Sequence, residues 1–577
     1  MRGSIWSSVL GLALVLAVAG CVQSEPGPPP TEPPLPGSLK RVVIPIPYDP
    51  PGFNAYLSDS GYEEILGELV YEALAEMAPD GTFYAKLATE LPTHENGGIS
   101  PDGLSVTWRL RDHVLWSDGE RLTSDDVLFT YEALSNPNNR IAHSTGVDLI
   151  DSVEVPDDYT IVLHYREPYA GIWGQFGGRG LGIFPRHACG DPGWMAGWEC
   201  NANPVGTGPF VLEDWEDDKR VVMARNPHYW QTDRPFLDLI EFPIVPDDTE
   251  RADLLGDGDS QVALWLTPKQ LDYLQGLETV RLVSQPTRWL LRLVLHLSQP
   301  VDEEQSGTTA PGLPHYALAD PRVRQALDMA IDRPRLIEEA FEDQGHVGSS
   351  EFYRGWAVCP DMTETVYDPA GALALLNQAG WQDLDGNGVL EAHGAPFAEE
   401  DAPLILSLRT TDGWEDLVSA QDLIADMWRE LGIRVVPDLT GMRDMRNSWQ
   451  DGGLEALGQF EIDMWDDGYP GTDPTDYLIW RYASWSIPGK DDGGLGGNVM
   501  RFVNPEMDRL LQLSLTQINP VDRLSSLCQV GSVLAEERPM LYLVYFDETH
   551  GFSPDLQGVV INPNDTLTWD AFNWQVE

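Results

Sequence analysis

Apolar and polar residues alternate over 104–111, LSVTWRLR, which puts Leu104, Val106, Trp108 and Leu110 on one face and predicts a half-buried strand. A turn at Trp116-Ser117-Asp118-Gly119 follows, and Thr123 can cap a helix through Val127, Leu128 and Tyr131. Residues 159–165, YTIVLHY, make another strand. The spacing then changes. Asp320-Pro321 starts a helix whose Val323, Ala326, Leu327, Ala330 and Ile331 share one face. Asp368-Pro369 starts the next, which Gly380 ends, with Ala372, Leu373 and Leu376 expected on a common face. A strand at 404–408, LILSL, precedes a helix with Ile424, Met427, Trp428 and Leu431 on one side. Gly432 closes that helix, and Ile433-Arg434-Val435-Val436 resumes as a strand. Strand, helix, strand in this order predicts a right-handed parallel crossover, so the second half reads as an α/β layer. A last apolar strand, LYLVY, lies at 541–545, and no internal repeat is evident.

The start of the chain is of another kind. Arg2 precedes an apolar run, Val9 to Leu16, too short to span a bilayer, and small residues lead to Cys21. Val18-Ala19-Gly20-Cys21 resembles the lipobox of bacterial lipoproteins, which implies a signal peptide over 1–21 and a lipid on the Cys21 sulfur. The following EPGPPPTEPPLPG, within a spacer at 22–38, favours extended polyproline II over any core. These segments predict a protein held by a lipid anchor at the extracytoplasmic face of the cell membrane. The rest exceeds what one hydrophobic core organises, so two or more domains are expected.

A formal net charge of −56 excludes nucleic acid as a partner, since phosphate contacts need a basic footprint. The same charge suits a solvated acidic surface. Cys189 and Cys200 lie close enough in a loop-like stretch to close a small disulfide outside the cytoplasm. Cys359 and Cys528 are too far apart in sequence to be paired from it. No G-x-S-x-G or H-E-x-x-H occurs, and no two of the eleven histidines stand four apart. A secreted hydrolase is therefore a remote alternative, and no enzyme is expected.

Residues 101–134, PDGLSVTWRLRDHVLWSDGERLTSDDVLFTYEAL, closely resemble the signature of the family 5 solute-binding proteins of ABC importers, the oligopeptide-, dipeptide- and nickel-binding type. Further similar motifs keep the family's order: YEAL at 71–74, PVGTGPF at 204–210, RNPHYW at 225–230, DPRVRQALDMAIDR at 320–333, NPEMD at 504–508 and ERPMLYL at 537–543. The resemblance implies a periplasmic-binding-protein-like, two-lobed α/β fold of the large class with an additional domain, three in all. It places the first domain at 39–83, 200–305 and 538–577, the second at 84–199, and the third at 306–537. It also implies a monomer that captures peptides between two lobes and hands them to an ABC permease. The same fold could bind oligosaccharide or serve as a chemosensory receptor.

Three segments carry candidate chemistry. Gly206-Thr207-Gly208-Pro209-Phe210 reads as a structural turn, lacking the Lys-Ser/Thr of a nucleotide loop. Asp383, Asp385, Asn387 and Glu391 take positions 1, 3, 5 and 9 of a calcium loop, a possible structural Ca²⁺ site. Position 12 is Gly394 rather than the bidentate Glu, so a plain turn is an equal reading. In FEIDMWDDGYPGTDPTDYL, residues 460–478, the resemblance implies an Asp pairing with a peptide's α-amino group. Asp467 or Asp466 would take that role, with Trp465 and Tyr469 as apolar walls. Trp414 joins them as a ligand contact by the tryptophan-rich second half, a composition that also keeps a sugar ligand open.

Overall fold

The computed structural model describes residues 39–576 apart from 59, 140, 142–145, 300–311, 470–472 and 490–493. The signal sequence, Cys21 and the Pro-rich spacer lie outside the described residues. From Lys40 onward the chain is one compact unit. Among the described residues no helix is long and apolar enough to cross a membrane.

Two larger sheets organise the molecule. Arg41–Val43, Leu239–Pro243, Arg220–Arg225 and Phe210–Glu216 lie side by side in that order. The first pair is parallel and the other two are antiparallel. The second sheet has seven strands, and the long strands Arg281–Leu295 and Met540–Phe552 run through its middle. Their antiparallel register shifts twice, between Leu291 and Arg292 and, more widely, where the chain bulges: Pro286 faces Asp547 and Leu290 faces Tyr545, so Thr287, Arg288 and Trp289 stand opposite Phe546 alone.

Beyond the bulge this sheet buries both faces. Leu291, Leu293 and Leu295 point into one core with Met464, Leu541 and Leu543. Leu290 and Val294 point into another with Trp465, Met540 and Tyr542. That is the period-two consequence of a strand covered on both sides.

The local patterns hold in most places. Ser105–Arg109 pairs antiparallel with Thr160–Tyr165, with Val106 and Trp108 buried. Thr123 caps Ser124–Leu134, and the Asp126 carboxylate accepts its N–H at 2.9 Å, a capping box. Ile405–Thr411 and Arg434–Thr440 form the expected parallel pair around the helix Glu415–Glu430.

Two details differ. The helix after Asp320 ends at Met329, and Asp332 caps a second helix, Arg333–Phe341, so Ile331 lies between the two. In Pro369–Gln378, Ala372 and Leu376 are buried, four apart on one face, whereas Leu373 stands a further 100° round and is exposed.

Disulfides join Cys189 to Cys200 and Cys359 to Cys528. The first closes a loop of separation 11 and the second one of 169. Loop-closure entropy gives the longer the greater effect, so Cys528→Ser should lower stability by about 2–5 kcal/mol and Cys200→Ser by about 2–3. Urea melts of the two variants check the order; equal losses would place the effect in local packing instead. At Gly206 an added Cβ would meet the Val70 carbonyl oxygen at 1.9 Å, which explains the glycine of the GTGP turn as a close backbone approach.

Candidate functional site

The segment singled out by sequence ends the strand Ile462–Asp467. Its residues have partners already. Trp465 is fully buried, with the Arg446 guanidinium 3.7 Å above its ring. The Asp467 carboxylate is bound by Arg481, with Arg446 at 3.8 Å, while Arg292 donates to its backbone carbonyl. Burial works against the charge of Asp467, but Arg481, Arg292 and Arg446 together hold its carboxyl below the ordinary value. Asp466, on the opposite face of the strand, is pushed up by burial.

Tyr469 is also buried. Its hydroxyl donates to the Arg354 carbonyl at 3.1 Å, and the Arg354 guanidinium donates to the Tyr469 carbonyl and lies 4.1 Å from the ring centre. Trp414 stands half-exposed at the N-cap of Glu415–Glu430. Of the two carboxylates expected as an amine contact, Asp467 and Asp466, the first is already paired with arginine. Three arginines answer the carboxylate, and both aromatic rings belong to the core.

Behind this group Arg292 and Glu351, both with fully buried side chains, pair at 2.6 Å. Tyr482 donates to the same carboxylate oxygen at 2.6 Å, and the Tyr477 hydroxyl meets Arg292 at 2.8 Å.

Gly468 carries the segment to the bulge of the long strand. A Cβ there would lie 1.6 Å from the Arg288 carbonyl oxygen, so only glycine fits. On the bulge opens a cavity of about 430 Å³. Four aromatic residues line it: Tyr48, Tyr62, Trp265 and Trp289. Tyr62 meets Trp265 edge-to-face at 4.7 Å and Tyr48 at 5.2 Å. Trp265 is held at φ +47°, a left-handed conformation unusual for a bulky residue, and its indole N–H donates to Glu548 at 2.8 Å.

Both signs of charge share the wall. Glu64, Glu548 and Asp565 face Arg179, Arg288 and Arg354. Arg179 bonds Glu64 at 2.6 Å, and its backbone N–H donates to Asp565 at 2.7 Å. Burial opposes ionisation of Glu548, yet His550, Gln285 and Arg179 hold its carboxyl at about 2. Asp565 is pushed up to about 7, first by burial and then by Glu76. Sequence reasoning named none of these residues, which lie between positions 48 and 565. One signal was present: Gly61–Val70 is buried along most of its length and still carries Glu63, Glu64 and Glu68.

The calcium-like loop is elsewhere. Asp383 accepts N–H groups of Gly386, Asn387 and Gly388, and Asn387 donates to Glu391 at 3.0 Å. Asp383, Asp385 and Glu391 bring one oxygen each within 4.8 Å of one another.

Residues 82–487 match the family model described as bacterial extracellular solute-binding proteins, family 5 Middle. The chain is similar to the oligopeptide-binding protein AppA of Bacillus subtilis (strain 168), at 22% identity over 90% of this chain and 88% of that one. It is similar to the glutathione-binding protein GsiB of Salmonella typhi, at 24% identity over 98% of each. Among solved structures it resembles NikA from Brucella suis in complex with Fe(III)-EDTA, with TM-score 0.72 and 19% identity over 93% and 100% of the two chains. It also resembles DppA from Helicobacter pylori in complex with the peptide STSA, with TM-score 0.65 and 18% identity over 93% and 98%. These likenesses are likenesses of fold, and the fold is the two-lobed α/β architecture of periplasmic binding proteins, as the motifs imply.

Proposed function

We propose that this chain, which belongs to the family 5 bacterial extracellular solute-binding proteins of ABC importers, captures a short peptide in the cavity beside the Thr287–Trp289 bulge. The observation that supports this reading is the wall itself. Four aromatic side chains offer apolar surface, and carboxylates and guanidiniums together suit a solute with charges of both signs. The family is one of binding proteins rather than enzymes. The relatives named for oligopeptide and glutathione agree with a peptide-like solute. The wealth of rings keeps an oligosaccharide as the second reading, since sugar faces stack on such surfaces.

The test is mass spectrometry of solute released on denaturing the purified protein. Peptides support the proposal, and sugars replace it with the second reading. Trp265→Ala removes the ring that Tyr62 and Glu548 hold in place, and should weaken capture of that solute at least about tenfold. An unchanged Kd would move the site away from this cavity.

The division into three domains, with the first built from 39–83, 200–305 and 538–577, belongs to the same proposal. So do monomeric state, delivery to a membrane permease, and anchoring through a lipid on Cys21. Cys21→Ser should shift the protein from the membrane fraction to the soluble one or leave it uncleaved. Unchanged partition into detergent would remove the anchor. The proposed function needs no metal, and a Ca²⁺ at Asp383–Glu391 would fix that loop alone.

A further inference from the structure

The negative wall of the cavity is unevenly answered. Glu64 has the Arg179 guanidinium. Glu548 accepts from the Trp265 indole and the Gln285 side-chain amide, with the His550 ring at 3.6 Å. Asp565, 3% exposed, accepts hydrogen bonds among the described residues from backbone N–H groups, those of Arg179 and Thr566 at 2.7 and 2.8 Å. Gln285 shows a second and independent imbalance. Its amide nitrogen faces Glu548, the residue is 8% exposed, and no donor among the described residues reaches its Oε1. A buried acceptor is ordinarily paired, and one left over at a cavity wall calls for a donor from the cavity's occupant.

We propose that Glu548, Gln285 and Asp565 form a cation subsite of the solute cavity, which receives an ammonium or guanidinium group. The inference rests on the reading of this cavity as the solute site. Such a group supplies N–H donors for Gln285 Oε1 and for both carboxylates, together with a positive charge beside them. This role takes the place of the one that sequence gave to Asp467, whose carboxylate three arginines already answer.

Proton linkage follows from the surroundings of Asp565. Glu64 and Glu68 from the helix Gly61–Val70, Glu76, Tyr84 and Lys86 from the neighbouring hairpin, and Arg179 and Glu548 surround it. With its carboxyl near 7, Asp565 holds part of a proton at neutral pH, and an arriving cation expels it.

Two probes separate the subsite from the reading beneath it. Agmatine, a small guanidinium diamine, tests the subsite alone. At millimolar concentration it should raise the melting temperature of the parent protein by about 2 °C or more, and leave Glu548→Gln and Gln285→Met unmoved. Circular dichroism of both variants confirms that they fold. No shift in the parent, or the same shift in all three proteins, overturns the subsite. A random tetrapeptide pool free of Lys and Arg, with free or acetylated N-termini, tests both ideas by calorimetry in two buffers. The free pool should bind at least about tenfold more tightly than the acetylated one and release protons near pH 7, and Glu548→Gln should erase the difference. Equal binding of the two pools overturns the subsite and leaves peptide capture standing. Failure of both pools to bind, with agmatine still active, overturns peptide capture and leaves the subsite.

Discussion

Replacing Glu351 by alanine is expected to lower the unfolding free energy by about 3–5 kcal/mol. The side chains of Arg292 and Glu351 are wholly buried and pair at 2.6 Å. Removing the carboxylate leaves a guanidinium in the core with the Tyr477 hydroxyl and the Asp467 carbonyl as its main oxygen partners. It also leaves the Tyr482 hydroxyl without its closest acceptor. A buried charge without its partner is among the largest single-residue penalties known, whereas removing both charges together costs far less. The double variant Arg292→Met/Glu351→Met should accordingly recover much of the loss. Guanidinium chloride melts followed by tryptophan fluorescence measure both. A single variant within about 1 kcal/mol of the parent would show that water reaches Arg292.

Stability should also fall by about 6 kcal/mol between pH 5 and pH 8. Asp476, Asp565 and Asp570 are all raised to about 7, mainly by burial, whereas in the unfolded chain they titrate near 4. The folded state therefore binds protons more tightly than the unfolded state from about pH 4 to 7. Each of these carboxyls contributes most at low pH and loses about 2–3 kcal/mol between pH 5 and 8. His296 acts in the opposite sense. Burial lowers it to about 3, so below about pH 6.5 the unfolded chain takes up a proton that the folded protein refuses, a loss of about 2 kcal/mol by pH 5. Glu548, held at about 2, has delivered its full contribution by pH 5 and adds no slope. Asp476→Asn/Asp565→Asn/Asp570→Asn should remove most of this fall. Thermal melts across this range would refute the account if the parent grew more stable toward pH 8.

The helices and strands were legible because their signals are local. Asp320 and Asp368 each cap a helix whose first residue is a proline, and each cap lies within three residues of the amide it holds. Leu104 to Leu110 alternate because one sheet face meets the core. The fold followed from motif order, and the cavity did not. Two carboxylates beside a tryptophan look the same in sequence whether or not an arginine answers them. Arg292, Arg446 and Arg481 reach Asp467 from separate stretches of the chain. Glu548 and Trp265 meet across 283 positions, and no periodicity reports on such a contact.

The bulge on the long strand has a mechanical meaning. On either side of Thr287–Trp289 the backbone is committed to ladder bonds with Met540–Phe552, so neither half can slide. The ladder is widest open at these three residues, which also form part of the wall of the cavity. A solute seated there would stiffen this break in the ladder, so occupancy and local backbone freedom should change together. Amide exchange at Arg288 and Trp289 would then report the two together: fast in the empty protein, and slowed in step with saturation.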